Sequence, residues 1–254
     1  MGRALLLLAV APLLMAQAAA PRLVPDVSQR AIEIIYSFTG AELLLFGAIL
    51  YPGGRSPRGG EPADIVVVVK GPTQSIRVRE KQRVAGIWVN AEDLRYRSAP
   101  SFYAVASSRP IEQIVDERTR AIYELGLDSL QLSPASSAAP HVQDRFAQGL
   151  VELRRRTGLY YQDPRAVEIT GGVLYRARVV IPARVPVGRF TAETFLIRDG
   201  RVLAAAVREI EIRKSGFERF VARAAERASL AYGLTAVALS VGLGWFAGWV
   251  AGRR

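Results

Sequence analysis

Seven residues form the best candidate in this chain for recognising a ligand. Lys81, Arg83, Trp88 and Asn90 fall within ten positions, and Ser107, Ser108 and Arg109 follow. Arginine offers a planar fork of donors that matches the oxygens of sulfonate, phosphate or carboxylate, and lysine offers a point charge. Trp88 adds a face for stacking. Pro110 marks a helix start, and the backbone N–H groups there also favour an anion. The competing reading puts Trp88 in a core and the arginines on solvated strand faces, where alternating charge is ordinary.

Patterns that would support catalysis are weaker. His141 is the single histidine, and it sits beside Pro140 next to a Ser/Ala/Pro stretch with no positioned partner in sequence. Glu92 and Asp93 are adjacent, so a strand would turn them to opposite faces. Ser107-Ser108 lacks a nucleophile-elbow frame, and no glycine-rich phosphate loop precedes a helix. The chain has no cysteine, which excludes thiolate metal sites, redox pairs and thiol nucleophiles. The expectation is a protein that is not an enzyme and that uses no cofactor or metal.

The two ends address location. Met1-Gly2-Arg3 is a short positive start, an apolar run reaches Met15, and Ala16-Gln17-Ala18 places small residues where a signal peptidase reads. Residues 1–20 are therefore expected to be a signal peptide, cleaved after Ala18. Ala228 to Gly252 carries no charge and is long enough to cross a hydrocarbon core of about 30 Å. Trp245 and Trp249 suit its interface. This predicts a transmembrane helix over 229–252 and a cytoplasmic tail of Arg253-Arg254. The signal sets the orientation: bacterial inner membrane, single pass, main domain in the periplasm.

Within the anchor, Ala236, Ser240, Gly244, Gly248 and Gly252 recur every four residues, a stripe of small side chains that would let another helix approach closely. The partners this implies are an integral membrane protein or a second copy of the chain. Ahead of it, residues 214–228 read as a juxtamembrane amphipathic helix. Arg219, Arg223 and Arg227 share one face there and suit lipid headgroups. The formal charge is +11, nearly all of it from arginine. In an exported protein that excess suits anionic lipid, polymer or small anions rather than nucleic acid.

The remaining chain, 21–213, suits one domain. Alternating or β-branched runs predict strands over 32–38, 42–50, 64–70, 75–80, 84–89 and 102–106. The period then changes. Ile111, Ile114, Val115, Arg118, Ile122 and Leu125 fall on one helical face that Gly126 ends, and Val142, Phe146, Leu150 and Leu153 form another that Gly158 stops. Strands resume over 173–181 and 190–197, and Asp199-Gly200 signals a hairpin into 201–212. The fold expected is mainly β: an Ig-like β-sandwich with a two-helix insertion at about 109–158, plus one C-terminal transmembrane helix.

Several stretches carry a family resemblance: Phe38-Thr39-Gly40-Ala41 with Leu44 to Ala48, Asp64 to Pro72 (DIVVVVKGP), Arg83 to Asn90 (RVAGIWVN), Phe102 to Pro110 (FYAVASSRP), and Pro182 to Gly188 (PARVPVG) followed by Asp199-Gly200. The chain resembles a family of transmembrane proteins described mainly from alphaproteobacteria. The resemblance implies the topology read above. It also implies a transporter partner, because similar proteins are often encoded near permeases that resemble sulfite or sulfonate exporters. It supplies no catalytic residue. The functional expectation is a membrane-anchored periplasmic interaction protein, an accessory subunit of a permease. The alternative is a periplasmic anion-binding sensor or envelope-binding module.

Overall fold

The structure is a computed structural model that describes residues 20–34, 39–54, 62–135, 137–214, 225–226 and 229–252. Two sheets stack through one core. The first has four strands in the order β1 (Arg22–Val27), β3 (Gly40–Leu50), β11 (Leu174–Pro182) and β10 (Val167–Thr170), all antiparallel. The second has six: β2 (Ala31–Ile34), β13 (Arg201–Lys214), β12 (Gly188–Arg198), β4 (Asp64–Lys70), β7 (Tyr103–Ser107) and β9 (Tyr160–Asp163). Its edge pairs, β2 with β13 and β7 with β9, are parallel.

The burial of each strand follows from its neighbours. In β11 buried and exposed residues alternate strictly, because one face meets the second sheet and the other meets water. In β4, Ile65 and Val66 to Val69 are all fully buried, so both faces are covered. One face lies on the four-stranded sheet. The other is covered by Ile111, Ile114, Val115, Leu125 and Leu159, which join the same core from the segment after β7. A run of β-branched residues without polar alternation is what a doubly covered strand requires. The mainly-β domain expected from sequence is thus present, with helical cover on one side.

That cover is more finely divided than the sequence suggests. The stretch read as one helix is two: α1 (Ile111–Ile114) and α2 (Glu117–Tyr123). Val115 is extended, and the Asp116 side chain accepts from the Thr119 backbone N–H to start a new helix. The break resets the rotational phase, and for that reason Ile122 ends up exposed rather than sharing the face of Ile111. The second helix is α3 (Pro140–Arg156), with three arginines in its last turn and Gly158 beyond it at positive φ. Phe146 and Leu150 are buried as expected, whereas Leu153 is exposed. The predicted linker before it contains a two-residue strand, β8 (Ser133–Pro134).

A third sheet joins β5 (Thr73–Val84), β6 (Ile87–Pro100) and β8. Its two long strands continue the sandwich. The β4–β7 pairing passes through backbone bonds from Gly71 N to Phe102 O (2.8 Å) and from Ser101 N to Pro72 O (2.9 Å) directly into β5–β6. The result is one two-stranded ladder from Val66–Ser107 to Val84–Ile87, shifted by bulges after Gln74 and after Glu80. Val84 to Val89, read from sequence as a single strand, contains the turn of this ribbon. Ala85 and Gly86 both take positive φ (49° and 85°), the geometry of a tight hairpin turn. The α3 helix lies along the ribbon's middle, where Val78, Leu94, Tyr96 and Ala99 form a small separate core with Phe146 and Leu150.

The final element, α4 (Ser229–Ala251), has 23 residues, about 34 Å at helical rise. Its segment Tyr232–Trp249 has a mean hydropathy of 1.2 and none of it is buried inside the protein. It is the one helix among the described residues long and apolar enough to span a membrane. The predicted signal peptide (1–20) lies outside the described residues except for Ala20. So do most of the juxtamembrane helix, including Arg219, Arg223 and Arg227, and the Arg253-Arg254 tail.

Candidate functional site

The seven candidate residues fall into two groups that the ladder holds apart. Lys81 pairs with Asn90 and Arg83 with Trp88 near the ribbon's turn, whereas Ser107 pairs with Val66 at the far end of the same ladder. Fifteen residues separate Val66 from Lys81 along one strand, about 50 Å of contour at ~3.4 Å per residue.

The Ser107–Arg109 group is built inward. Ser107 is fully buried. Arg109 grips the Asp64 carboxylate through Nε (3.0 Å to Oδ2) and Nη2 (2.8 Å), and the Ser108 hydroxyl donates to the other oxygen at 2.7 Å. Asp64 is itself buried. The ion pair ties the start of β4 to the start of the helical cover, so the Arg109 fork is occupied by the protein's own carboxylate. At the other end of β4, Lys70 Nζ bonds Glu124 at 2.7 Å and lies 3.4 Å from Glu193. Tyr103 Oη donates to the backbone carbonyls of Glu124 and Gly126 beside them, and burial raises its pKa well above the usual phenol value. These contacts lock α2 onto the sheet.

The Lys81–Asn90 group is built outward. Directly opposed residues of an antiparallel ladder share a face, so Lys81, Arg83, Trp88 and Asn90 stand together on one side of the tip. Gln82, Val84, Ile87 and Val89 occupy the other. Every residue from Lys81 to Asp93 is exposed. Ile87 and Trp88 reach 68% and 66% exposure, so the ribbon ends in apolar side chains with nothing packed on them. The Arg83 Nε donates weakly to the Gly86 carbonyl at 3.4 Å and braces the turn. Sequence reasoning found the cations and Trp88 but missed Val84, Ile87 and Val89 as tip residues. The available signal was Ala85-Gly86 between Val84 and the apolar run Ile87-Trp88-Val89.

Between α3 and the ribbon lies an open cleft of about 330 Å³, floored by Val78, Phe146 and Leu153 and rimmed by Arg145 and Arg156. Among the described residues, four of its five charged residues, all but Arg79, are paired internally. Arg145 bridges Glu80 (3.2 Å) and Glu92, and Arg156 Nε bonds Glu152 at 2.8 Å, which lowers the Glu152 pKa. Asp93 pairs with Arg77 at 3.2 Å. His141 is exposed in the first turn of α3.

On α4, Ala236, Ser240, Gly244, Gly248 and Gly252 all face outward. A Cβ at Gly244 or Gly248 would meet nothing within 4 Å. The Ser240 hydroxyl donates to the Ala236 carbonyl at 2.9 Å, so the stripe presents no unsatisfied hydroxyl to lipid.

A β-sandwich carried on one apolar helix defines the class: a membrane-anchored, mainly-β protein. The chain belongs to the family described as "Putative transmembrane protein (Alph_Pro_TM)", whose model matches residues 22–253. No curated protein sequence matches it. Among solved structures it is similar to the sporulation control protein Spo0M from Bacillus subtilis, at 9% identity and a TM-score of 0.33. The likeness covers 83% of this chain and 56% of that one, so this chain spans little more than half of its length.

Proposed function

We propose that this is an interaction protein of the cell envelope, tethered to the bacterial inner membrane with its sandwich in the periplasm and its C-terminus in the cytoplasm. Its partner is an integral membrane protein that packs against the small-residue face of α4. The observation that carries this reading is that face: five small residues at every fourth position, exposed, with room for a second backbone. Whatever the sandwich senses or holds is relayed through the partner. The family resemblance makes a permease of the sulfite- or sulfonate-exporter type the first partner class to look for, with this chain as its accessory subunit.

Affinity purification of the full chain from native membranes in mild detergent, with mass spectrometry, tests this. A stoichiometric multi-span protein should co-purify, and Gly244→Leu with Gly248→Leu should release it. Recovery of the chain alone, or retention of the partner by the double variant, would defeat the helix-pairing reading. A second reading, an anion-binding module, draws on the shared face of Lys81, Arg83, Trp88 and Asn90. A thermal shift with sulfite, sulfonates, phosphate or anionic polymers that Arg83→Ala abolishes would support it.

A further inference from the structure

The ribbon and the membrane anchor leave the sandwich at the same end. In the six-stranded sheet β12 lies between β4 and β13 and is antiparallel to both, so β4 and β13 run in one direction. The first continues past Gly71-Pro72 into the ribbon, and the second ends at Lys214 on the way to α4. Their exits are neighbours. Ile212 pairs with Gly188, and a Cβ on Gly188 would stand 2.8 Å from Pro72 at the ribbon's root.

The lengths are commensurate. From Thr73 to Val84 the ribbon extends about 37 Å at ~3.4 Å per residue. The fourteen residues 215–228 between β13 and α4 reach about 21 Å as a helix and about 50 Å fully extended. A ribbon tip aimed out of this end can therefore meet the surface of the bilayer that α4 crosses.

The chemistry of the tip suits that surface. Val84, Ile87 and Val89 are apolar side chains at the far end of an arm. Trp88 is the side chain that prefers the headgroup level, with an apolar body and one N–H donor. Lys81 and Arg83 stand behind it, and among the described residues neither forms an ion pair, whereas Arg77 farther down the ribbon and Arg145 and Arg156 on α3 do. An apolar tip with two available cations is complementary to anionic headgroups over an acyl boundary.

We infer that the tip of the β5–β6 ribbon inserts into the outer leaflet of the membrane that anchors the protein, with Trp88 at the headgroup level and Lys81 and Arg83 on anionic phosphates. This second contact fixes the sandwich's tilt over the bilayer. It rests on the single-span anchor but not on any protein partner, and its test is separate from co-purification.

Full-length protein with Trp245→Phe and Trp249→Phe keeps Trp88 as its one tryptophan. It is reconstituted in bilayers of phosphatidylcholine with phosphatidylglycerol, with and without brominated acyl chains. Brominated lipid should quench Trp88, and the bilayer should shield it from aqueous iodide. Adding Lys81→Glu and Arg83→Glu should abolish both effects at unchanged circular dichroism, as should omitting the anionic lipid. Free iodide access with no quenching by lipid would overturn the inference. So would quenching indifferent to lipid charge and to the two reversals, or shielding that needs added membrane proteins or free phosphate.

Discussion

Removing either partner of the Asp64–Arg109 pair should destabilise the protein, and by unequal amounts. The Asp64 side chain is 11% exposed and that of Arg109 is 40% exposed. Arg109→Met leaves a carboxylate in a site nearly closed to water, with only the Ser108 hydroxyl still donating to it. Breaking a buried pair in this way costs about 3–5 kcal/mol, and partial water entry where the guanidinium stood argues for the lower end, about 3 kcal/mol. Asp64→Asn keeps the Ser108 contact and strands a guanidinium that solvent already reaches, so about 1.5 kcal/mol is expected. In a domain of this size 1 kcal/mol moves the unfolding temperature by about 2–4 °C, so the losses are roughly 6–12 °C and 3–6 °C. Thermal unfolding of the full chain in detergent, followed by circular dichroism, reads both. The double variant should lose less than Arg109→Met alone, because Asp64→Asn removes the stranded charge. Equal losses, additive losses, or losses below about 1 kcal/mol would refute the claim that this arginine is a structural residue rather than a ligand fork.

Two further outcomes follow from the packing. Phe146→Ala should cost about 3–5 kcal/mol, but locally, because Phe146 belongs to the small core under α3 and not to the main one. Hydrogen exchange should speed up at ribbon amides from Ile76 to Glu80 and leave Val66–Val69 protected, whereas uniform acceleration would show that the two cores are one. Alkaline titration should reveal phenols that resist ionisation. Burial pushes Tyr160 up to about 12 and raises Tyr103 and Tyr161 further, and Tyr160 also donates to the Pro100 carbonyl at 2.5 Å. A folded-state value above the unfolded one stabilises fully below about pH 10, and that stability is lost as pH rises from there through the folded value. Tyrosinate absorbance should lag and then rise cooperatively with unfolding; a smooth rise centred near pH 10 would contradict the burial.

The parts of this fold that could be read from sequence are those where burial writes a pattern. Asp64 to Lys70 is apolar without interruption because β4 is covered on both faces, and Leu174 to Pro182 alternates because β11 is covered on one. Asp199-Gly200 marks its hairpin because both residues take positive φ there. The elements that escaped are held by other means. The short edge strands β9 and β10 have too few residues to show a period. The break at Val115 depends on the Asp116 cap, a single hydrogen bond inside an otherwise continuous helical pattern.

The candidate site was half legible for a related reason. Beyond Glu80 the ribbon packs on nothing, so its strands carry no apolar alternation and only cross-strand pairing keeps them in register. A reader of sequence sees a charged stretch, then an apolar one, and the one cue that the second turns back on the first is the Ala85-Gly86 dipeptide. Charge and stacking potential were visible at Lys81, Arg83, Trp88 and Asn90, but the reason to group them with Ser107–Arg109 was proximity in sequence alone. The ladder shows what that proximity conceals. A long hairpin places residues near in sequence at opposite ends, and it turns one half of the group into a buried clamp and the other into an exposed tip. An arm of this length with apolar residues at its end is costly to expose in water unless a surface receives it. The same sheet ends β13, the strand that precedes α4 in the chain, beside the arm's root, and the inferred bilayer contact would supply that surface.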